Sequence, residues 1–258
     1  MTDGTQSTSV TLLALDSSTA SMSLAIVRDG QVLDSYTTFT ERNHSVRVVS
    51  EIKEILSRNG VRGEDLDGIA IGQGPGSYTG VRIGVTAAKT LAWAWRKPLI
   101  GVSSLEALAY SAWLKAGMGV GDQPESWIVP LMDARRGQVY TACYVAGKDS
   151  EWHRVSEDGI RLIADWTVRL KEHAENGAEP AEVWLVGDVT THEAVIAEAR
   201  ASFAGFRAVS CDLDAGALGL LAERKYRSGQ RDEVHSFVPN YTQLAEAEAK
   251  LLSASRGE

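Results

Sequence analysis

The chain has 258 residues, 44% of them hydrophobic and 23% charged, with a formal net charge of -8. That balance suits a soluble globular protein with room for two modest domains, and it has the wrong sign for one that grips nucleic acid unaided. Cys143 and Cys211 stand far apart with no paired spacing, so neither a zinc knuckle nor a disulfide framework is expected and a reducing cytosol fits.

Residues 1–9, MTDGTQSTS, lack a basic segment followed by an apolar core and read as a polar tail, not a signal peptide. No run reaches the ~18 apolar residues of a membrane span. From Val10, VTLLALDSSTASMSLAIVRDGQVLDSYTTF reads as three strands of a meander, with Asp29-Gly30 as the second turn. Asn43 is placed to cap a helix running to Arg58, with Val48, Val49, Ile52, Ile55 and Leu56 on its apolar face and Gly60 as its stop. LDGIAIGQ is a short buried strand.

The segment GQGPGSYTGVRIG, residues 72–84, then leads into a helix expected from Thr79 to about Trp95. At about 100° per residue Val81, Val85, Ala88, Ala92 and Trp95 share a stripe, which Ile83, Gly84, Ala87 and Leu91 widen past half the circumference. A helix with so wide an apolar arc is normally covered from two directions. The glycine spacing matches neither a P-loop nor the dinucleotide fingerprint. An anion at the helix N-terminus and a tight strand-to-helix connection both remain open readings, and the wide arc favours the second, with the glycines shaping a docking surface.

The second half repeats the opening. SWIVPLMDARRGQVYTACYV is again strand, turn and strand, so Asp133 stands where Asp16 stands, a weak duplication that suggests two related half-domains. EVWLVGD is a strand ending at Gly187-Asp188, THEAVIAEARASF a helix, and AGALGLLAERKYRSG a helix stopped by Gly229. VPNYTQLAEAEAKLL starts extended around Pro239.

Asp16, Ser17, Ser18 and Thr19 could offer a phosphate their hydroxyls and a metal or water their carboxylate, and Asp133 and Gly187 are the matching candidates in the second half. The DSST turn lacks the glycine that close approach to a phosphate usually needs, and Asx and Ser/Thr turns commonly occur without a ligand. The five histidines include no pair at i and i+4, so no helical metal site is expected.

LLALDSST, GIAIGQGPGSYTGVRIGVTAAKTLA, PLIGVSSLEALA and MDARRGQVY closely resemble the TsaB (YeaZ) family of tRNA threonylcarbamoyladenosine biosynthesis. The resemblance covers about the first 145 residues with specific motifs and thins beyond them to LVGD and FVPNY. It implies an α/β, actin-like (ASKHA, ribonuclease H-like) fold of two similar subdomains. The expected division is a tail over 1–9, a first subdomain over 10–105 with a helix over 215–228 as a candidate to complete it, a second over 106–214, and an extension over 229–258.

The resemblance also implies a non-catalytic scaffold. It would bind a TsaD-like transferase, which modifies the tRNA adenosine 3′ of the anticodon, and a TsaE-like ATPase. It would form a homodimer when alone, meet tRNA only through the complex and require no cofactor. TsaD-like proteins hold a metal with two histidines, where this chain has Ser104 and Leu108, and leucine has no donor atom. The implied partner interface lies on the helices after Asn43 and Thr79, at Val46, Val49, Tyr78, Val81, Ile83, Gly84, Val85, Ala87, Ala88 and Leu91. The alternative is an ATP-dependent enzyme of the same superfamily, a small-molecule kinase or a peptidase-labelled paralogue.

Overall fold

The computed structural model describes residues 9–39, 44–116, 125–147, 152–178, 180 and 182–242. The chain divides into two compact units, one made of residues 1–118 and 211–239 and the other of residues 119–210 and 240–258.

In the first unit β1 (Thr11–Asp16), β2 (Ser21–Arg28) and β3 (Gln31–Phe39) form the expected meander, followed by α1 (His44–Arg58), β4 (Gly68–Gly72), α2 (Tyr78–Trp95), β5 (Leu99–Val102) and α3 (Ser104–Lys115). Asp29 and Gly30, with φ of 50° and 76°, supply the two left-handed residues of the β2–β3 turn. The sheet order is β3-β2-β1-β4-β5. β1 pairs antiparallel with β2, Leu15 opposite Leu24, and parallel with β4, Leu13 beside Ile69. β1 and β4 are buried along their whole length, as continuous apolar runs covered on both faces must be. Leu13, Leu15, Ile69 and Ile71 meet Val48, Ile52 and Ile55 of α1 and Val81, Val85 and Ala88 of α2 in one core.

The second unit contains β6 (Ser126–Asp133), β7 (Gln138–Ala146), β8 (Trp152–Leu162), α4 (Ile163–His173), β9 (Glu182–Gly187), α5 (Glu193–Ser202) and β10 (Phe206–Ser210). Its sheet order, β10-β9-β6-β7-β8, repeats the first sheet strand for strand. Asp16 ends β1 and Asp133 ends β6. Two copies of one five-stranded mixed sheet with helices make this the two-subdomain, actin-like α/β fold.

The last helix among the described residues, α6 (Ala215–Arg227), belongs to the first unit. Asp214 caps it by accepting from the Gly216 N–H at 2.8 Å. A methyl group at Gly219 would lie 2.4 Å from Val27, so the glycine sets how closely α6 lies on the sheet. Glu223, 4% exposed, accepts from the Gly30 N–H at 2.8 Å and from Arg227 Nε at 2.7 Å, while Arg227 reaches Asp29 at 2.8 Å. The chain then straps the free edge of β5. The Asp232 N–H donates to the Leu99 carbonyl, Asp232 Oδ2 accepts from the Gly101 N–H at 2.7 Å, and Phe237 enters the core.

Several expectations need correction. Val49 is 61% exposed and lies off the buried face of α1. α2 starts one residue early, at Tyr78, because Ser77 caps it by accepting from the Gly80 N–H. Thr190–His192 form a 3-10 turn, and α5 begins only at Glu193. The Asn43 cap and the end of the final segment, from Gln243, lie outside the described residues.

The Glu223 bridge ties α6 to the β2–β3 turn, and removing a buried acceptor leaves its donors unsatisfied at about 1–3 kcal/mol. Glu223→Ala is expected to lose that much unfolding free energy in urea titration with an unchanged slope. Stability equal to the parent would show that the bridge contributes nothing.

Candidate functional site

The DSST turn and the GQGPGSYTGVRIG segment are one structure. Asp16, Ser17 and Ser18 are each 1% exposed. Asp16 Oδ1 accepts from the Ser18 N–H and hydroxyl, both at 2.7 Å, and Oδ2 accepts from the Ser104 hydroxyl at 2.6 Å. The Ser104 oxygen in turn accepts from the Gly74 N–H at 3.0 Å. The Ser17 hydroxyl donates to the Gly80 carbonyl at 2.8 Å, and the Ser77 N–H donates to the Ser18 carbonyl at 2.6 Å.

The glycines at 72, 76, 80 and 84 give this turn its room. A methyl group at Gly72 would sit 1.6 Å from Asp16 Oδ2, at Gly76 2.3 Å from the Ser18 carbonyl, at Gly80 2.1 Å from the Ser17 carbonyl, and at Gly84 2.4 Å from Ser17 Oγ. Of the two readings of the segment, close packing of backbone therefore describes it, and the surface it packs against is the chain's own turn. Burial pushes the Asp16 carboxyl up from its ordinary 3.8, against the hydrogen bonds from Ser104 and Ser18 that pull it down. As nucleotide contacts Asp16, Ser17 and Ser18 are corrected to buried, internally bonded groups; Thr19 stays at the rim, its hydroxyl 3.0 Å from that of Ser21.

Ser104 and Leu108 are 0% and 2% exposed. Ser104 is thus a bridge between Asp16 and Gly74, and Leu108 a core residue. Among the described residues no group of three His, Cys, Asp or Glu is placed to hold a metal.

In the second unit the structure brings Asp133 and Gly187 to the ends of neighbouring strands. The Asp133 N–H donates to Asp188 Oδ2 at 2.8 Å, and His192 Nε2 lies 3.2 Å from Asp133 Oδ1. Gly187 has a φ of 105°, which turns the chain out of β9. The Cys143 thiol, 2% exposed, is pushed up to about 12 by burial.

The expected partner face divides in two. Val81, Gly84, Val85 and Ala88 are buried in the first unit's own core and are corrected to core residues, because the β1–β4 sheet already covers that stripe of α2. Ile83, Ala87 and Leu91 are partly exposed, and Tyr78 and Val49 are 51% and 61% exposed. The side chain of Val46 lies outside the described residues. The exposed group lines a groove between α1 and α2 of about 530 Å³, which Val48, Thr79, Arg82, Thr86 and Thr90 complete. Sequence reasoning assigns Arg82, Thr86 and Thr90 to the helix's polar side. Their spacing of four from one another, and of four from Tyr78, is the signal that they share a stripe with it.

Two outcomes are expected from this geometry. Gly80→Ala gains up to about 1 kcal/mol of helix propensity, yet it drives a methyl into the Ser17 carbonyl, and overpacking costs about 1–3 kcal/mol. A net drop in melting temperature is expected, and an unchanged or higher one would refute the packing role. For Asp16, a raised folded pKa means that the native state holds the proton more tightly than the unfolded chain. The contribution is therefore fully present below 3.8 and lost as pH rises through the folded value. The stability of the parent relative to Asp16→Asn is expected to fall over that rise; a difference independent of pH from acid to neutral would contradict it.

Residues 37–251 match the protein-family model described as "TsaD: tRNA N6-adenosine threonylcarbamoyltransferase". A Bacillus subtilis protein named tRNA threonylcarbamoyladenosine biosynthesis protein TsaB is 36% identical, the match covering 96% of this chain and 100% of that one. An Anaeromyxobacter dehalogenans tRNA N6-adenosine threonylcarbamoyltransferase is 37% identical over 40% of this chain and 36% of its own length. The solved structure "YeaZ from Pseudomonas aeruginosa" superposes with a TM-score of 0.68 at 26% identity, covering 90% of this chain and 99% of that one. With its duplicated sheet, its full-length match to the Bacillus protein and its fit to YeaZ, the chain belongs to the TsaB (YeaZ) family.

Proposed function

We propose that this chain takes part in tRNA threonylcarbamoyladenosine biosynthesis as a non-catalytic subunit that holds a TsaD-like transferase and a TsaE-like ATPase and meets tRNA only through that assembly. The observation that carries this reading is the apolar groove between α1 and α2, where Val49 and Tyr78 are exposed and Ile83, Ala87 and Leu91 partly exposed, while Val81, Val85 and Ala88 of α2 are packed in the core. Exposed apolar surface rimmed by polar residues marks a protein interaction site. The groove is the natural seat for the transferase, and for a second copy of this chain when the transferase is missing.

The chemistry of Asp16, Ser104 and Leu108 supports the same reading. Where the transferase pairs two histidines, this chain has a hydroxyl committed to Asp16 and a hydrocarbon in the core. The chain would then supply affinity and positioning, leaving bond-making to its partner. No helix among the described residues is long and apolar enough to cross a membrane.

Ile83→Glu places a charge at a partly exposed position of the groove, whereas the same change at Val85 would strike the core. It is expected to weaken binding to the cognate TsaD-like protein at least about tenfold, about 1.4 kcal/mol, with a smaller drop in melting temperature than Val85→Glu. Leaving this chain out of a mixture of the TsaD-like and TsaE-like proteins, tRNA, threonine, bicarbonate and ATP is expected to abolish modified tRNA. Full modification without it, or undiminished binding by Ile83→Glu, would overturn the proposal.

A further inference from the structure

We infer that Arg82 selects what the α1–α2 groove accepts, favouring a partner helix that carries a carboxylate over a second copy of this chain; this rests on the groove being the partner site. Of the ten described residues that line the groove, Arg82 is the only charged one. It is exposed and close to Tyr78, with one guanidinium nitrogen 2.9 Å from the phenol oxygen and its centre 5.1 Å from the ring centroid. Among the described residues it has no carboxylate partner.

The neighbouring charges have the same sign. Lys53 is exposed one turn along α1 from Val49. The acidic residues of α1 are turned away or occupied: Glu51 is 8% exposed and paired with Arg47, and Glu54 lies five residues from Val49, about 140° round the helix at 100° per residue. Among the described residues the groove rim is therefore positive, in a chain whose net charge is -8.

Symmetry turns this into selectivity. A second copy docking through the same patch forms a two-fold interface in which each partner presents the same groove, so Arg82 and Lys53 of both copies enter one apolar contact. Like charges brought together there repel more strongly than in water. A different protein escapes that constraint. An apolar helix bearing one Asp or Glu opposite Arg82 gains a charge-assisted contact, and the repulsion becomes a device against the wrong partner.

The test measures two equilibria with the full chain: binding to the cognate TsaD-like protein by calorimetry and self-association by sedimentation equilibrium. Arg82→Gln is expected to weaken the mixed complex about tenfold and to leave self-association unchanged or tighter. Rising salt is expected to loosen the first and not the second. A loss of mixed affinity smaller than about threefold, or a parallel loss in both equilibria, overturns the inference. Leu91→Glu in the same assay separates it from the reading beneath it. If Leu91→Glu binds like the parent, the groove is not the partner site; if it fails to bind while Arg82→Gln binds normally, only the selectivity is wrong.

Discussion

The packing of the Asp16–Thr19 turn against four glycines spaced four residues apart is the constraint on which the first unit depends. Gly72, Gly76, Gly80 and Gly84 bring backbone and side chains of the turn nearer than any side chain would allow. The approach has two effects at once. It consumes the polar groups of the turn, because Asp16 and Ser17 bond inward to Ser104, Ser18 and Gly80. It also fixes the roll of α2, so that Val81, Val85 and Ala88 are buried against the sheet while Ile83, Ala87 and Leu91 are left partly exposed at its flank. Closing the turn and leaving the α1–α2 groove open are the same event.

The two units show how one topology can host different environments. Asp16 and Asp133 end equivalent strands. One is sealed and its carboxyl raised by burial, while the side chain of the other is 33% exposed and lies beside His192. The difference comes from the segments that meet each aspartate. After β4 the chain places the glycine ladder, whereas after β9 Gly187-Asp188 leads into a short turn and a helix without such a ladder. Duplication supplied the strands, and local residues decided what each aspartate does.

Much of the architecture is legible because its signals are local. Asp29-Gly30 announces a hairpin, the apolar runs announce β1 and β4, and the repeated strand–turn–strand around Asp133 announces the second unit. The glycines of residues 72–84 suggest close packing, but their partner is more than fifty residues upstream, and periodicity says nothing about which distant turn fills a gap. The wide arc of α2 reads as one interface, although half of it belongs to the chain's own core. α4 escapes notice although Ile163, Trp166, Thr167 and Leu170 have helical spacing, because it directly succeeds β8 with no glycine or proline between them. Ser104 looks only like a missing histidine, and its bridge from Asp16 to Gly74 appears once three separate segments meet.

The placement of α6 bears on how the protein comes off the ribosome. The first sheet is complete by Val102, yet the helix that covers one of its faces, and the strap that closes its β5 edge, come after Cys211. At about 5–20 residues per second, the intervening segment takes on the order of ten seconds to emerge. Throughout that interval β5 has a free edge and the α6 side of the sheet is bare, which is the kind of surface that recruits chaperones. The second unit, continuous from β6 to β10, can fold while the first waits.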